Sequence, residues 1–213
     1  MLLLKVQDLC AERNDRRIFG PLSFDLEAAM GMWLQGPNGS GKSTLLRMLC
    51  GLFPSQSGRI ERMNGLLDPD SLSPNLIYIG HRLALKEPLT TEENLAFLVG
   101  FLSKQKMDQG RLRHALKAAQ LENKRHCIVR MLSAGERQRL ALSLLMCVDA
   151  RLWLLDEPYT ALDAQGRHWL SALISAHIDQ GNSVIISSHQ DGVGLENMRF
   201  QYLRLEPPEM PCA

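Results

Sequence analysis

Gly36-Pro37-Asn38-Gly39-Ser40-Gly41-Lys42-Ser43-Thr44 has the form G-x-x-x-x-G-K-[ST], the pattern of a phosphate-binding loop. The apolar run Met32-Trp33-Leu34 before it reads as a strand, and Thr44-Leu45-Leu46-Arg47-Met48-Leu49 after it reads as a helix. A strand–loop–helix setting gives the pattern its physical meaning. Glycines let the backbone curl around an anion, because no Cβ obstructs positive φ. Successive N–H groups then face one concavity, and the helix that begins near Gly41 adds its positive dipole end. Lys42 is expected to reach the β- and γ-phosphates of a nucleotide, and the Ser43 hydroxyl to hold Mg²⁺.

Bulk properties narrow the rest. A chain of 213 residues suits one domain, with room for a small inserted subdomain and a sizeable core. The formal net charge is +1, which implies no strong field for nucleic acid or an anionic membrane. Five cysteines are scattered, with no C-x-x-C pair, so neither zinc nor a disulfide framework is suggested and a reducing compartment fits. Leu2-Leu3-Leu4 is too short for a signal peptide, and no run reaches about eighteen apolar residues. The expectation is a soluble chain whose membrane role, if any, comes through a partner.

Along the chain, residues 2–9 and 22–26 alternate apolar and polar at strand period, with a polar turn over 12–17. Residues 51–58 read as loop, 59–63 as a short strand closed by Asn64-Gly65, and 68–74 as loop. Leu76-Ile77-Tyr78-Ile79 reads as a buried strand that stops at Gly80-His81. Thr90 and Glu93 have capping-box spacing ahead of a helix over 92–102, and Asp108 starts a second helix within 107–120. Residues from about 82 to 131 carry no strand signal and read as a helical insertion between two halves of a sheet domain spanning 1–213. Ser133 and Glu136 repeat the capping-box spacing before a helix over 136–148. Strands at 152–155, 184–186 and 200–205 flank a helix capped by Asp163 and running to His177, and Pro207, Pro208 and Pro211 prevent further regular structure.

The apolar strand 152–155 ends in Asp156-Glu157-Pro158. Acidic residues at the carboxyl end of a parallel strand lie where α/β sheets place ligands. Asp156 suits a Mg²⁺ ligand acting through water, and Glu157 suits a general base or water-positioning group for attack on a γ-phosphate.

These residues carry a resemblance. Leu132-Ser133-Ala134-Gly135-Glu136 is similar to the signature of ABC-transporter ATPase domains, usually Leu-Ser-Gly-Gly-Gln. Leu155-Asp156-Glu157-Pro158 follows it at family spacing, Thr160-Ala161-Leu162-Asp163 resembles the D-loop, and Ser187-Ser188-His189 resembles the switch histidine. The motifs stand in family order over residues 1–205. The resemblance implies a P-loop NTPase fold: a mixed or parallel sheet core, an inserted helical subdomain and an N-terminal antiparallel β region. It also implies an ATP-dependent head-to-tail homodimer. Ser133 and Gly135 of one copy would contact the γ-phosphate held by Lys42 of the other, and His189 would bridge that phosphate to Glu157. Ser133 and Glu136 also read as plain helix caps, and the two roles are compatible. Glu136 replaces the usual glutamine and adds negative charge near a triphosphate, which weakens closure unless a basic residue such as Arg137 offsets it.

Two positions depart from the family. The adenine-stacking aromatic falls on Arg13, whose guanidinium can stack on a purine, and the Q-loop glutamine is replaced by His81. Phe19 reads as core. Ile79-Gly80-His81, Cys10-Ala11-Glu12-Arg13 and the Leu-Ser-Ala-Gly signature resemble the ATP-binding subunits of bacterial cytochrome c maturation systems, the so-called haem exporters. Arg82-Leu83 stands where that group tends to have Gln-Pro. This narrower resemblance implies two copies on the cytoplasmic face of an inner membrane, bound peripherally to transmembrane subunits. It also implies that ATP turnover serves to release a haem-loaded chaperone rather than simply to pump haem. No haem site is visible in the chain: C-x-x-C-H is absent, and Met30, Met32, Met48 and the other methionines read as core packing. Rival readings are the ATPase of a lipoprotein or drug exporter, a soluble ABC-type ATPase acting on nucleic acid or ribosomes, and a small-molecule kinase. Near-neutral charge and a single short domain count against the nucleic-acid reading.

Overall fold

A computed structural model of the chain describes residues 1–13, 16–62, 75–102, 108–188, 195 and 199–206. Two sheets form its frame. The strands β1 (Leu2–Arg13), β2 (Arg16–Glu27) and β4 (Ser57–Arg62) make an antiparallel sheet in the order β2-β1-β4. The strands β3 (Gly31–Gln35), β5 (Leu76–Ile79), β6 (Leu152–Asp156), β7 (Ser183–Ser187) and β8 (Phe200–Arg204) make a parallel sheet in the order β5-β6-β7-β3-β8.

The inner strands β3, β6 and β7 are apolar because both faces are covered. Successive side chains point to opposite faces, and the two cores follow that alternation. Trp33, Trp153, Leu155, Val184 and Ile186 enter one core, while Met32, Leu34, Leu152, Leu154 and Ile185 enter the other. The first core is closed by α2 (Thr91–Leu102), α3 (Gln109–Ala118), α4 (Ala134–Ser143) and α5 (Ala164–Asp179) through Leu95, Leu116, Leu140 and Ile174. The second is closed by α1 (Lys42–Leu49) and the antiparallel sheet through Leu45, Leu49, Leu4, Val6 and Leu26. Each such leucine contributes about 1.5–3 kcal/mol of burial.

The helix starts follow the sequence. Glu93 N–H donates to Thr90 Oγ1 (3.2 Å) while Thr90 N–H donates to Glu93 Oε2 (2.8 Å), and Asp108 accepts from Gly110 N–H at 2.8 Å. Asp163 accepts from Gly166 N–H at 2.7 Å. Three expectations differ from what is observed. The antiparallel strands reach Arg13 and restart at Arg16, so most of the polar 12–17 stretch is ladder rather than turn. The helix expected over 136–148 ends at Ser143 and tightens into a 3₁₀ turn over Leu144–Met146. Ser143 Oγ donates to Leu140 O at 2.7 Å, a local bond that competes with the helical ladder. Met32 and Met48 are buried as expected, but Met131 is 71% exposed. The loop expected over 68–74, Asn64-Gly65 and the terminal prolines lie outside the described residues. No helix among the described residues is long and apolar enough to cross a membrane.

Candidate nucleotide site

The loop after β3 is shaped by glycines that cannot be replaced. Gly36 has φ +150°, and a Cβ there would lie 2.5 Å from Leu205 O and 2.6 Å from Ser40 Oγ. Gly41 has φ +98° and caps α1, and a Cβ there would lie 2.6 Å from the buried Phe19 ring. The loop is therefore wedged between β8's end and the antiparallel sheet, with its backbone forced into a tight curl. Lys42 Nζ donates to Gly36 O (2.7 Å) and Pro37 O (3.1 Å), so the ammonium is held over the mouth of the curl. Pro37, Asn38 and Gly39 are exposed, while Ser43 and Thr44 are half-buried on the first turn of α1. Ser40 is buried, and its Oγ has no hydrogen-bond partner among the described residues. A glycine-lined curl, one ammonium and an unsatisfied hydroxyl fit a phosphate chain.

Strand register brings the acidic pair to the same edge. Leu34 pairs with Ser187 and Ser187 pairs with Asp156 across three adjacent parallel strands. At a strand spacing of about 4.8 Å, the start of the loop and Asp156 are about 10 Å apart. Asp156 is 2% exposed. Ser187 Oγ donates to Asp156 Oδ1 at 2.7 Å and accepts the Glu157 N–H at 3.0 Å, and Glu157 N–H also reaches Ser187 O at 3.1 Å. Glu157 has φ +52°, a conformation that these bonds hold in place. Tyr78 Oη donates to Asp156 Oδ2 and receives Arg47 Nε–H, each at 3.4 Å. Burial pushes the Tyr78 hydroxyl's pKa up. Sequence reasoning gave Ser187 only as part of the stretch before the switch histidine, and named neither Tyr78 nor Arg47 as parts of this site. Each is an ordinary strand or helix position, and only the register makes them neighbours.

Ile79 pairs with Leu155, so β5 delivers His81 to this same edge, where it is exposed in a bend. Arg13 ends β1, but its side chain lies outside the described part of the structure, as does His189.

Ser133 and Glu136 form a reciprocal cap on α4. Ser133 Oγ accepts from Glu136 N–H at 3.2 Å, and Glu136 Oε2 accepts from Ser133 N–H at 2.9 Å. The basic residue beside Glu136 is Lys124, not the expected Arg137. Lys124 Nζ is 2.6 Å from Glu136 Oε1, whereas Arg137 donates to the carbonyls of Leu132 (3.1 Å) and Arg130 (3.0 Å). The hydrogen bond from Lys124 holds the Glu136 carboxyl below the usual carboxylate range. Three contacts tie α4 to the segment after Glu157. A Cβ on Gly135 would lie 2.8 Å from Ala161 O, Gln138 Nε2 donates to Pro158 O at 3.0 Å, and Arg139 reaches Asp163 at 3.5 Å.

Between the end of α1, β5 and α2 lies a mostly apolar groove of about 370 Å³, lined by Leu52, Tyr78, Leu83, Phe101 and Leu144. Leu52 and Phe101 are 63% and 66% exposed.

Residues 19–160 match the family model described as ABC transporter. The cytochrome c biogenesis ATP-binding export protein CcmA of Vibrio cholerae is 37% identical over 97% of this chain and 100% of that protein. The proteins of the same name from Xanthomonas axonopodis pv. citri and Rhizobium meliloti are 40% and 39% identical, each over 88% of this chain and over 86% and 91% of their own lengths. Among solved structures, an ATP-binding subunit of an ABC transporter superposes with a TM-score of 0.78 at 24% identity, over 95% of this chain and 88% of that one. An ATP-binding cassette solved as a dimer in a post-hydrolysis state with ADP and Pi gives 0.80 at 23% identity, over 97% of both chains.

Proposed function

The chain belongs to the ABC transporter family, and from that premise we propose that it is the ATP-hydrolysing subunit of a membrane complex in cytochrome c biogenesis. The observation that carries the enzymatic part is the register of Leu34, Ser187 and Asp156, which aligns a phosphate loop with an acidic pair at one sheet edge. The biogenesis role follows the relatives of 37–40% identity. The finer assignment is that turnover drives haem export or the release of a haem-loaded chaperone.

The backbone N–H groups of Gly36 to Thr44 bind the phosphates, and Lys42 leaves the carbonyls of Gly36 and Pro37 to meet the β- and γ-oxygens. Ser43 and Asp156 would hold Mg²⁺, which neutralises charge on the phosphates. Glu157 orients a water in line with the γ-phosphorus and takes its proton, so ATP and water give ADP and phosphate. His189 steadies the γ-phosphate, Arg13 stacks on the adenine, and His81 senses the site from the end of β5. Ser133 and Gly135 at the start of α4 contact the γ-phosphate held by a second copy, so that two copies close around two nucleotides.

The groove beside Leu52 and Phe101 receives an apolar segment of a transmembrane subunit. That contact holds the protein peripherally at the cytoplasmic face of the bacterial inner membrane. Both parts are open to test. Glu157→Gln with Mg²⁺ and ATP is expected to give a stable dimer by light scattering, absent with ADP and absent in Lys42→Ala; a monomer in ATP would overturn the sandwich. Leu52→Asp with Phe101→Asp is expected to abolish co-purification with the membrane subunits while ATP binding persists, and retained co-purification would overturn the docking assignment.

A further inference from the structure

The start of α4 has a charge problem that its own cap creates. A helix N-terminus attracts an anion because its first N–H groups point outward and its dipole adds roughly half a positive charge. Glu136 answers that attraction from inside the chain. Its Oε2 takes the Ser133 N–H at 2.9 Å, and its full negative charge more than cancels the dipole end. A second anion approaching Ser133 would then meet net repulsion.

Lys124 reverses that balance. It lies on the 3₁₀ turn Glu122–Lys124 that follows α3, and its Nζ is 2.6 Å from Glu136 Oε1. The Glu136 side chain is 15% exposed and that of Lys124 is 47% exposed, so the pair is at the surface with the ammonium outermost. Both Glu136 oxygens are thereby engaged, one by a backbone N–H and one by the ammonium. Ser133 Oγ accepts from Glu136 N–H, which leaves its own hydrogen available to donate outward. Arg137 is committed to the carbonyls of Leu132 and Arg130.

We propose that Lys124 is a positioning residue for the nucleotide held by a second copy. By pairing with Glu136 it keeps the first turn of α4 and the Ser133 hydroxyl an attractive surface for a γ-phosphate. The proposal rests on the reading of Ser133 and Gly135 as contacts to that nucleotide. Lys124 itself need not touch the phosphate; it acts through Glu136.

The test is a double-mutant cycle in the Glu157→Gln chain, with Mg²⁺ and ATP, following the monomer–dimer equilibrium by light scattering over a range of protein concentrations. Lys124→Ala is expected to weaken dimerisation about tenfold or more, as an unscreened like charge would. Raising salt should narrow that defect, because it screens the Glu136 charge that the missing ammonium leaves facing solvent. Lys124→Arg should dimerise as the parent does. In the Glu136→Gln background, Lys124→Ala should change dimerisation by less than about threefold, since the charge it offsets is gone. ATP binding to the monomer, which uses the chain's own phosphate loop, should be unchanged throughout.

Lys124→Ala dimers as tight as the parent's would overturn the proposal. So would an equal loss in the Glu136→Gln background, which would mean that Lys124 acts independently of Glu136. If Glu157→Gln alone stays monomeric in ATP, the reading of Ser133 and Gly135 fails first and the proposal falls with it. That outcome is distinguished by the parent, before any Lys124 variant is made.

Discussion

Ser187→Ala isolates the bond that holds the acidic pair. The hydroxyl donates to Asp156 Oδ1 at 2.7 Å inside a strand pair where Asp156 is 2% exposed and Ser187 fully buried. Removing it deprives a buried carboxylate of a short, charge-assisted donor, at a cost of about 1.5–3 kcal/mol. The second bond adds little to the loss, because Glu157 N–H keeps Ser187 O at 3.1 Å and is not orphaned. A fall of about 2 kcal/mol in a domain of this size lowers Tm by about 4–8 °C. Ser183→Ala on the same strand is the internal control. Its Oγ donates to the neutral carbonyl of Glu27 at 3.0 Å, so its loss costs only about 1 kcal/mol. Thermal unfolding without nucleotide measures both. Equal shifts for the two variants, or an unchanged Tm for Ser187→Ala, would refute the claim that the serine anchors Asp156.

Two further outcomes follow from other contacts. His177 is buried, stacked on Trp153 at 3.5 Å between centroids, and burial pushes its pKa down from 6.5 to about 4. The folded state therefore resists a proton that the unfolded chain accepts. Stability is full above pH 6.5 and is lost as pH falls from 6.5 to about 4, by roughly 3 kcal/mol in all at 1.36 kcal/mol per unit. Urea melts across that range should show the slope, and His177→Gln should remove it; a variant as acid-sensitive as the parent would discount the histidine. Gly135→Ala gains about 1 kcal/mol of helix propensity but drives a methyl against the Ala161 carbonyl, 2.8 Å away. The expected result is a near-neutral Tm with a clear loss of ATP-dependent dimerisation, read by light scattering, and a dimer of parental strength would show that the loop yields freely.

The sequence carried the local rules faithfully. The glycine spacing of 36–41, the cap pairs Thr90/Glu93 and Ser133/Glu136, and the apolar runs of β3, β6 and β7 are all short-range signals, and each reappears as geometry. What escaped it depends on contacts between elements far apart in the chain. Lys124 reaches Glu136 from a separate turn, while Arg137, next to Glu136 in sequence, bonds other carbonyls. Ser187 and Tyr78 touch Asp156 across strand pairings that no periodicity encodes. The tightening of α4 at Ser143 coincides with a bond from its hydroxyl to a carbonyl within the helix, a feature that apolar periodicity does not see. The groove beside Phe101 is likewise assembled from three elements.

The ties between α4 and the segment after Glu157 have a consequence for timing. Gly135 abuts the Ala161 carbonyl, Gln138 grips the Pro158 carbonyl, and Arg139 reaches Asp163. A shift of the first turn of α4 would strain these contacts and pull on the backbone that leads out of Glu157. In the two-fold pair proposed above, one of these regions would serve the copy's own nucleotide and the other its neighbour's. On the proposed sandwich such a joint would couple the two nucleotides: a departure at one would loosen the grip on the other, and the pair would open in steps.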